Sequence, residues 1–185
     1  MAQVKGTSLL HRFQVLEKNA TPEQISRIIE KVAPDLRTAY LQKKILPIKW
    51  YPIGWLETLM IAADEVLGRG DLAYCVDLGR QVSAIAVKGI YKMFYKLSSV
   101  ELIFKNAPMV WKQLFDVGLC QAVIPHKGEG RMTVSQFPDM PKSLCLSLLG
   151  WCEAVIEMAG GKNIRIKIEQ WPGPETPLVL AANWE

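Results

Sequence analysis

Apolar side chains between residues 144 and 168 predict a helix followed by a strand. The apolar or small positions of this helix recur at three- and four-residue spacing: Leu144, Leu148, Trp151, Cys152, Val155, Ile156 and Ala159. Gly160-Gly161 is expected to end the helix, because glycine adopts a left-handed cap conformation without strain. Ile164, Ile166 and Ile168 then alternate with charged residues, the period of a strand with one buried face. Such a helix needs a sheet and other helices to cover it.

Helices dominate the predicted N-terminal half. Residues 1–20 form a lead-in with short apolar groups, and the first helix start is the capping-box sequence Thr21-Pro22-Glu23-Gln24. Short helices follow, then a helix at about residues 52–67 and a long helix from Asp71, as cap, to about residue 97. A further helix begins at Ser98-Ser99, is broken near Pro108 and ends at Gly118.

The C-terminal part is predicted as two strands, one helix and two strands. Residues 119–126 and 131–136 form a hairpin around the glycine-containing turn at 127–130, and a last strand covers residues 178–184. We therefore predict one α+β domain over residues 1–185, with a lead-in at 1–20, a helical part at 21–117 and a ββαββ unit at 118–185. The four strands are expected to form a small antiparallel sheet.

Two features suggest a hydrophobic pocket. Cys75, Gly79 and Ser83 are spaced four apart, so small residues line one face of the long helix. They indicate either tight helix packing or space for a ligand, since glycine inside a helix costs about 1 kcal/mol relative to alanine. An aromatic cluster and an arginine beside Gly79 complete the candidate ligand-binding set: Trp50, Tyr51, Trp55 and Arg80. Arg80 could hold a ligand carboxylate, or form a surface salt bridge, while the other residues could simply belong to the core.

Motifs for catalysis, metal binding and nucleotide binding are absent from the sequence. The two histidines, His11 and His126, are expected to be exposed, so neither metal nor haem is expected and no cofactor is predicted. Asp64 and Glu65 are assigned to a solvated helix face. No catalytic residue is predicted. The four cysteines are interpreted as buried, reduced thiols: Cys75, Cys120, Cys145 and Cys152.

Composition and charge narrow the choice of partners. The chain has 185 residues, 50% of them hydrophobic, and a formal net charge of +4, which is typical of a globular protein without strong nucleic-acid affinity. No stretch approaches the ~20 apolar residues of a membrane span, and a cytoplasmic location is expected. A lysine stripe is interpreted as a solvated face, with contact to an acidic partner or a membrane surface as the alternative: Lys88, Lys92 and Lys96.

Short motifs in a fixed order carry a family resemblance over nearly the whole chain. The motifs are Trp50-Tyr51-Pro52, Leu78-Gly79-Arg80, Phe115-Asp116-Val117-Gly118, Gly150-Trp151, Gly160-Gly161-Lys162 and Asn183-Trp184. In this order they resemble an uncharacterised bacterial family abundant in myxobacteria. That family is similar to a superfamily that contains vinyl-4-reductase-type domains, haem nitric-oxide-binding domains and TRAPP vesicle-tethering subunits.

The resemblance implies an α+β fold with a hydrophobic pocket or channel, a tendency to form homodimers, and the binding of small ligands or partner proteins. The chain departs from its relatives at two cysteine positions. Gln170-Trp171 stands where relatives often carry the first cysteine, and no cysteine follows Cys152. A metal or redox role tied to that pair, and a haem-ligating histidine, are therefore not carried over.

A non-enzymatic sensory or adaptor domain is the favoured function. It would bind a small apolar ligand and act by contact with a partner protein or with a second copy of itself. The first alternative is a ligand-free structural homodimer, with the small-residue face at its interface. The second is a tetrapyrrole-related reductase or carrier.

Overall fold

The computed structural model describes residues 1–89 and 99–185, and the side chains of all of these except 87–89. The predicted lysine stripe at Lys88, Lys92 and Lys96 lies outside the described side chains. The predicted end of the long helix near residue 97 also lies outside the described residues.

Helices form most of the first 114 residues. In chain order the elements are β1 (Gln3–Lys5), α1 (Gly6–Asn19), α2 (Pro22–Lys31), α3 (Pro34–Leu41), β2 (Trp50–Pro52), α4 (Ile53–Leu67), α5 (Tyr74–Gly89) and α6 (Val100–Leu114). At the start of α2 the Thr21 hydroxyl accepts from the Gln24 amide and the Gln24 side chain accepts from the Thr21 amide, so the predicted capping box is present. The predicted helical N-terminal half is confirmed.

The C-terminal part contains β3 (Leu119–His126), β4 (Glu129–Ser135), α7 (Lys142–Met158), β5 (Arg165–Gln170) and β6 (Leu178–Asn183). The four strands form one antiparallel sheet in the order β3-β4-β6-β5. β5 is an edge strand, so Ile166 and Ile168 are half-buried rather than enclosed. The elements follow one another in the predicted order, and the turn of the first hairpin is shorter than predicted because β4 already begins at Glu129.

The N-terminal 20 residues are not a lead-in, and this prediction is wrong. They form β1 and α1, and β1 pairs with β2 as a second small antiparallel sheet that the sequence did not indicate. α1 contributes Leu9, Phe13 and Leu16 to the core. This helix was missed because no side chain caps its start and because polar residues, Ser8 and Arg12, are also buried on it.

Two further predictions need correction. α6 is one helix with Pro108 inside it, rather than a helix broken there. Asp64 is not on a solvated face, because its side chain is 0% exposed and accepts hydrogen bonds from the Leu72 amide at 2.8 Å and the Tyr74 amide at 3.0 Å. These bonds satisfy amides at the beginning of α5, so Asp64 joins α4 to α5. Asp71 caps only the Ala73 amide.

α5 and α7 approach each other at the level of their backbones. A Cβ atom added at Gly79 would lie 1.9 Å from the Ser147 carbonyl oxygen, and one added at Gly150 would lie 1.9 Å from the Val76 carbonyl oxygen. Each helix therefore presents a glycine to the backbone of the other. The small-residue face is used for tight packing within the chain, which is one of the two interpretations that the sequence allowed.

One main hydrophobic cluster joins the helical part to the sheet. Its fully buried side chains come from helices and strands alike, and they include Leu9, Leu16, Leu56, Leu59, Leu144, Leu178 and Leu180. A smaller cluster contains Val100, Phe104, Ile156 and Ala182. Within the described ranges, no helix is both long and apolar enough to cross a membrane.

We expect Gly79→Ala to lower the free energy of unfolding by about 1–3 kcal/mol, because the new methyl group pushes α5 away from α7. The packing energy lost in this way exceeds the energy gained from alanine's higher helix propensity. Urea unfolding measures this change. Gly54→Ala is the matched control, since nothing lies within 4 Å of a Cβ atom at this position in α4, and it should leave stability unchanged or slightly higher. Equal stability of the Gly79→Ala protein and the unmodified protein would show that the two helices are not in contact here.

Candidate functional site

A cavity of about 70 Å³ lies between the helical part and the sheet, and we call it the central cavity. Its wall combines α1, α5, α6 and α7 with the first hairpin. The wall is mostly apolar or aromatic, from Val82, Ala86, Ala107, Val110, Trp111, Leu114, Phe115, Cys120, Met132, Leu144, Leu148 and Trp151. The fold therefore leaves space where its two halves meet.

The polar part of the wall is concentrated on α1. Thr7, Ser8, His11 and Arg12 line the cavity, at a spacing that places them on one side of a helix, and Ser147 of α7 joins them. The central cavity therefore has one polar end and one apolar body. Such a wall suits an amphipathic molecule better than a purely apolar one.

Arg12 is the unusual residue of the polar end. It is 5% exposed. Its Nη1 donates to the Ser8 carbonyl oxygen at 3.0 Å and to the Ser8 hydroxyl at 2.8 Å, while Nη2 donates to the Ser147 hydroxyl at 3.0 Å. Among the described residues its Nε has no hydrogen-bond partner. Burial lowers the pKa of Arg12 to about 10, so the guanidinium remains charged at neutral pH.

His11 lies beside Arg12 on the cavity wall, and the prediction that it is exposed is wrong. Its side chain is half-buried. Burial, and then the charge of Arg12, lower the pKa of this imidazole from its ordinary value. The neutral form is therefore favoured, and a neutral imidazole can donate a hydrogen bond or act as a metal ligand. His126 is exposed, as predicted.

A second, smaller cavity of about 30 Å³ lies between α6, α7 and the sheet. Ala107, Met132 and Trp151 are the described residues that line both cavities, so their side chains lie between the two. The rest of its wall is apolar: Ile103, Phe104, Ala122, Gly130, Cys152, Val155, Ile156, Ile166, Leu180 and Ala182. The apolar body of the central cavity thus continues toward the sheet.

The predicted aromatic residues lie away from the central cavity. Trp50 is 36% exposed on β2 and lies under the Lys5 ammonium, 3.9 Å from the ring centroid. Tyr51 stacks on Trp55 with ring centroids 5.0 Å apart, and its hydroxyl accepts from the Leu46 amide at 2.8 Å. These contacts hold the segment before α4 in place.

The predicted residues of α5 are also engaged elsewhere. Cys75, Gly79 and Ser83 face the interior of the helix packing, and the Ser83 hydroxyl donates to the Arg80 carbonyl oxygen at 2.6 Å. Arg80 forms an ion pair with Glu153 at 2.6 Å, and this contact raises the pKa of Arg80. Arg80 thus forms the surface salt bridge that was the alternative to a ligand contact. None of the seven predicted residues lines the central cavity, and a ligand contact for them stays a prediction.

Sequence reasoning missed the polar end of the cavity. Ser8 and Arg12 are four residues apart and lie beside the apolar positions Leu9, Phe13 and Leu16, the spacing of neighbours on one helix. This arrangement was a usable signal. It was missed because residues 1–20 were interpreted as a lead-in with short apolar groups, and because charged residues such as Arg12 are rarely buried.

All four cysteines are free thiols, so the prediction of reduced cysteines is confirmed. Cys75, Cys120 and Cys145 are buried and Cys152 is half-buried. Burial raises the pKa of each thiol to about 12, which disfavours the reactive thiolate. In the described part of the chain, no three histidine, cysteine or carboxylate side chains are grouped to hold a metal ion.

No protein-family model and no curated protein match this chain. Several solved structures do match its fold. An H-NOX protein from S. oneidensis in the Fe(II)NO state superposes with a TM-score of 0.75 at 10% identity, covering 98% of this chain and 99% of that chain. The Fe(II) unliganded H-NOX protein from K. algicida gives 0.73 at 9% identity, covering 98% and 96%.

A third match is a protein studied for haem redox potential and porphyrin distortion, with a TM-score of 0.70 at 13% identity, covering 97% of this chain and 99% of that chain. At these identities the likeness concerns the fold alone. This likeness supports the resemblance to haem nitric-oxide-binding domains at the level of the fold. The chain thus has the fold of the H-NOX domains.

The prediction that no cofactor is bound and that haem is not expected is corrected by this comparison, because the proteins that share the fold are haem proteins. The prediction assumed two exposed histidines, whereas His11 lies in the cavity wall with its neutral form favoured. The central cavity is too small to hold a haem, because its volume of about 70 Å³ is well below the roughly 300–1,000 Å³ of ordinary ligand pockets. A haem would enter only if wall side chains such as Trp111 and Trp151 moved.

We expect all four thiols to react with a thiol reagent at pH 8 at least about 100-fold more slowly in the folded protein than in denaturing urea. The reason is that a thiol with a raised pKa contributes almost no thiolate at this pH. Time-resolved absorbance with a chromogenic disulfide measures the rate, and the urea-unfolded protein is the control. A thiol that reacts rapidly in the folded state would show that its surroundings are open to solvent.

Proposed function

We propose that this chain is a sensory or adaptor domain that binds a small, largely apolar molecule in the central cavity and acts through contacts with another protein. The observation that supports the proposal is the cavity itself, whose wall is shared by four helices and the first hairpin. A ligand there touches both halves of the molecule at once. It can therefore change how the helical part packs on the sheet.

The H-NOX fold supports a ligand-binding role, because the matched proteins hold a ligand-binding iron centre inside the same architecture. The wall of this cavity offers no arrangement of a nucleophile, a base and an orienting acid among its described residues. A non-enzymatic role is therefore favoured. Membership of the uncharacterised bacterial family, a cytoplasmic location and a homodimeric state remain predictions.

Coupling between ligand and partner would run through α1 and α7. Arg12 and Ser147 connect these two helices at the polar end of the cavity, and α7 is held against α5 by the Gly79 and Gly150 contacts. Because the glycine contacts allow little sliding, we expect a ligand to shift α1 and α6 rather than α7. A change at the outer faces of α1 and α6 would then be the signal that a partner reads.

We expect Ala107→Phe to weaken binding of benzene, a small apolar probe suited to the size of the central cavity, at least about tenfold, because a phenyl ring at this position fills the space between the two cavities. Isothermal titration calorimetry measures the affinity, and native mass spectrometry of the same samples reports retained small molecules and oligomeric state.

Met109→Phe is the matched control, since Met109 is exposed on the same helix and lines neither cavity. Its affinity for the probe should equal that of the unmodified protein. If Ala107→Phe also binds the probe with unchanged affinity while remaining folded, the probe does not enter the central cavity and the proposed function fails.

A further inference from the structure

Exposed apolar side chains are concentrated between the end of α3 and the start of β2, in residues 41–50, which we call the 41–50 segment. They belong to Leu41, Leu46, Ile48 and Trp50. A single exposed apolar residue is ordinary on a protein surface, whereas several in one short segment mark a surface that contacts another molecule.

Ile48 lies at the tip of a turn in this segment. The Lys49 amide donates to the Leu46 carbonyl oxygen at 3.2 Å and closes the turn, whose central residues are Pro47 and Ile48. Proline is favoured at the first central position of such a turn, but turns are otherwise dominated by glycine and small polar residues. Here the second central position carries an isoleucine that is 81% exposed. The turn thus holds a large aliphatic side chain in water.

The turn is bonded to β1 and to the beginning of α1, so its apolar side chains are held outward. The Thr7 amide and the Thr7 hydroxyl both donate to the Pro47 carbonyl oxygen at 3.0 Å. The Lys5 ammonium donates to the Ile48 carbonyl oxygen at 3.0 Å, and it also lies over the Trp50 ring. A surface that is already ordered loses little conformational entropy when it binds.

The charge of the segment is entirely positive. Lys43, Lys44 and Lys49 are exposed, and residues 36–56 contain neither aspartate nor glutamate. Within the described part of the chain none of the three lysines forms a salt bridge. Glu17, which lines the same surface groove as Lys43, accepts a tyrosine hydroxyl at 2.8 Å. The apolar side chains are therefore accompanied by positive charges that are available to an anionic partner.

The composition of the segment favours a lipid surface over a protein partner. Lysine is depleted from the cores of protein–protein interfaces, and its ammonium is strongly hydrated. At a bilayer surface lysines keep their ammonium groups among hydrated headgroups, while their stems and neighbouring aliphatic side chains contact the acyl boundary. Tryptophan is enriched at that depth, because its ring is apolar and its indole N–H can still donate.

We propose that the 41–50 segment attaches the protein reversibly to an anionic lipid surface. Ile48 enters the boundary between headgroups and acyl chains together with Leu46 and Trp50, and the three lysines pair with negatively charged headgroups. Because the apolar side chains and the charges are few, attachment needs both. This role goes beyond the ligand binding proposed above and does not depend on it, since the segment lines neither the central cavity nor the second cavity.

The first experiment measures sedimentation of the full chain with sucrose-loaded vesicles, made either of phosphatidylcholine alone or of equal parts of phosphatidylcholine and phosphatidylglycerol. We expect the partition coefficient to be at least about tenfold higher on the anionic vesicles, because each lysine near such a surface adds a factor of a few. Molar salt should remove most of this difference by screening. Equal, weak sedimentation with both vesicle types would overturn the proposal and leave the segment as a contact for a protein.

Paired lysine variants separate the segment from the net charge of the chain. Lys44→Gln combined with Lys49→Gln should lower binding to the anionic vesicles at least about tenfold. Lys127→Gln combined with Lys162→Gln removes the same charge from exposed positions elsewhere, and should lower binding about twofold at most. An equal loss in the two double variants would show attraction by net charge alone and would overturn the proposal.

Ile48→Asn tests the apolar contribution. Asparagine suits a turn, so the fold should be retained, and binding to the anionic vesicles should fall about five- to tenfold. Val123→Asn is the control, because Val123 is an exposed aliphatic residue on the edge strand β3, and it should bind as the unmodified protein does. Unchanged binding of Ile48→Asn would overturn the proposal. Light scattering that shows this variant as a monomer and the unmodified protein as an oligomer would also overturn it, in favour of contact between two copies.

An environment-sensitive fluorophore attached to Ile48→Cys reports insertion directly. None of the four native cysteines is exposed, so a brief reaction labels the introduced thiol. On anionic vesicles we expect the emission to shift to the blue and to be quenched by brominated acyl chains, and we expect neither effect with the label on Val123→Cys. Vesicle binding without a shift at position 48 would place the segment outside the bilayer and would overturn the proposal.

Discussion

The backbone contact between α5 and α7 is the constraint on which the rest of the structure depends. Gly79 lies against the Ser147 carbonyl oxygen and Gly150 against the Val76 carbonyl oxygen, so neither position accepts a side chain without moving a helix. Close backbone approach of this kind defines the relative position of two helices more strictly than side-chain packing does, because main-chain atoms cannot change rotamer. α7 in turn covers the sheet, which places the sheet relative to the helical part.

The same contact between α5 and α7 also involves a residue of the candidate site. Ser147 presents its carbonyl oxygen to Gly79 and its hydroxyl to Arg12, so one residue takes part in both the helix packing and the polar end of the cavity. α1 is thereby attached to α7 at the depth of the core. The guanidinium is held in place by neutral hydroxyl and carbonyl groups, and no carboxylate among the described residues forms a salt bridge with it.

The likeness to H-NOX domains extends over nearly the whole chain although the identity is near one residue in ten. The architecture therefore tolerates almost complete replacement of its side chains, as long as a helical layer covers a small antiparallel sheet. In this chain aromatic side chains, Trp111 and Trp151 among them, occupy the wall where the two parts meet. A shared fold thus leaves the ligand to be decided by the local residues.

The sequence by itself determined the local elements. These are the helix and strand around Gly160-Gly161, the hairpin, the Thr21 capping box and the reduced cysteines. They follow from periodicity, turn residues and composition, which act over a few residues. The candidate site did not follow, because its seven predicted residues were chosen by type. Whether the space beside Gly79 is open or occupied depends on Ser147, which is distant in the sequence. Whether Arg12 is solvated depends on which residues cover α1. Only the tertiary structure decided these points, since burial and charge balance depend on residues far apart in the chain.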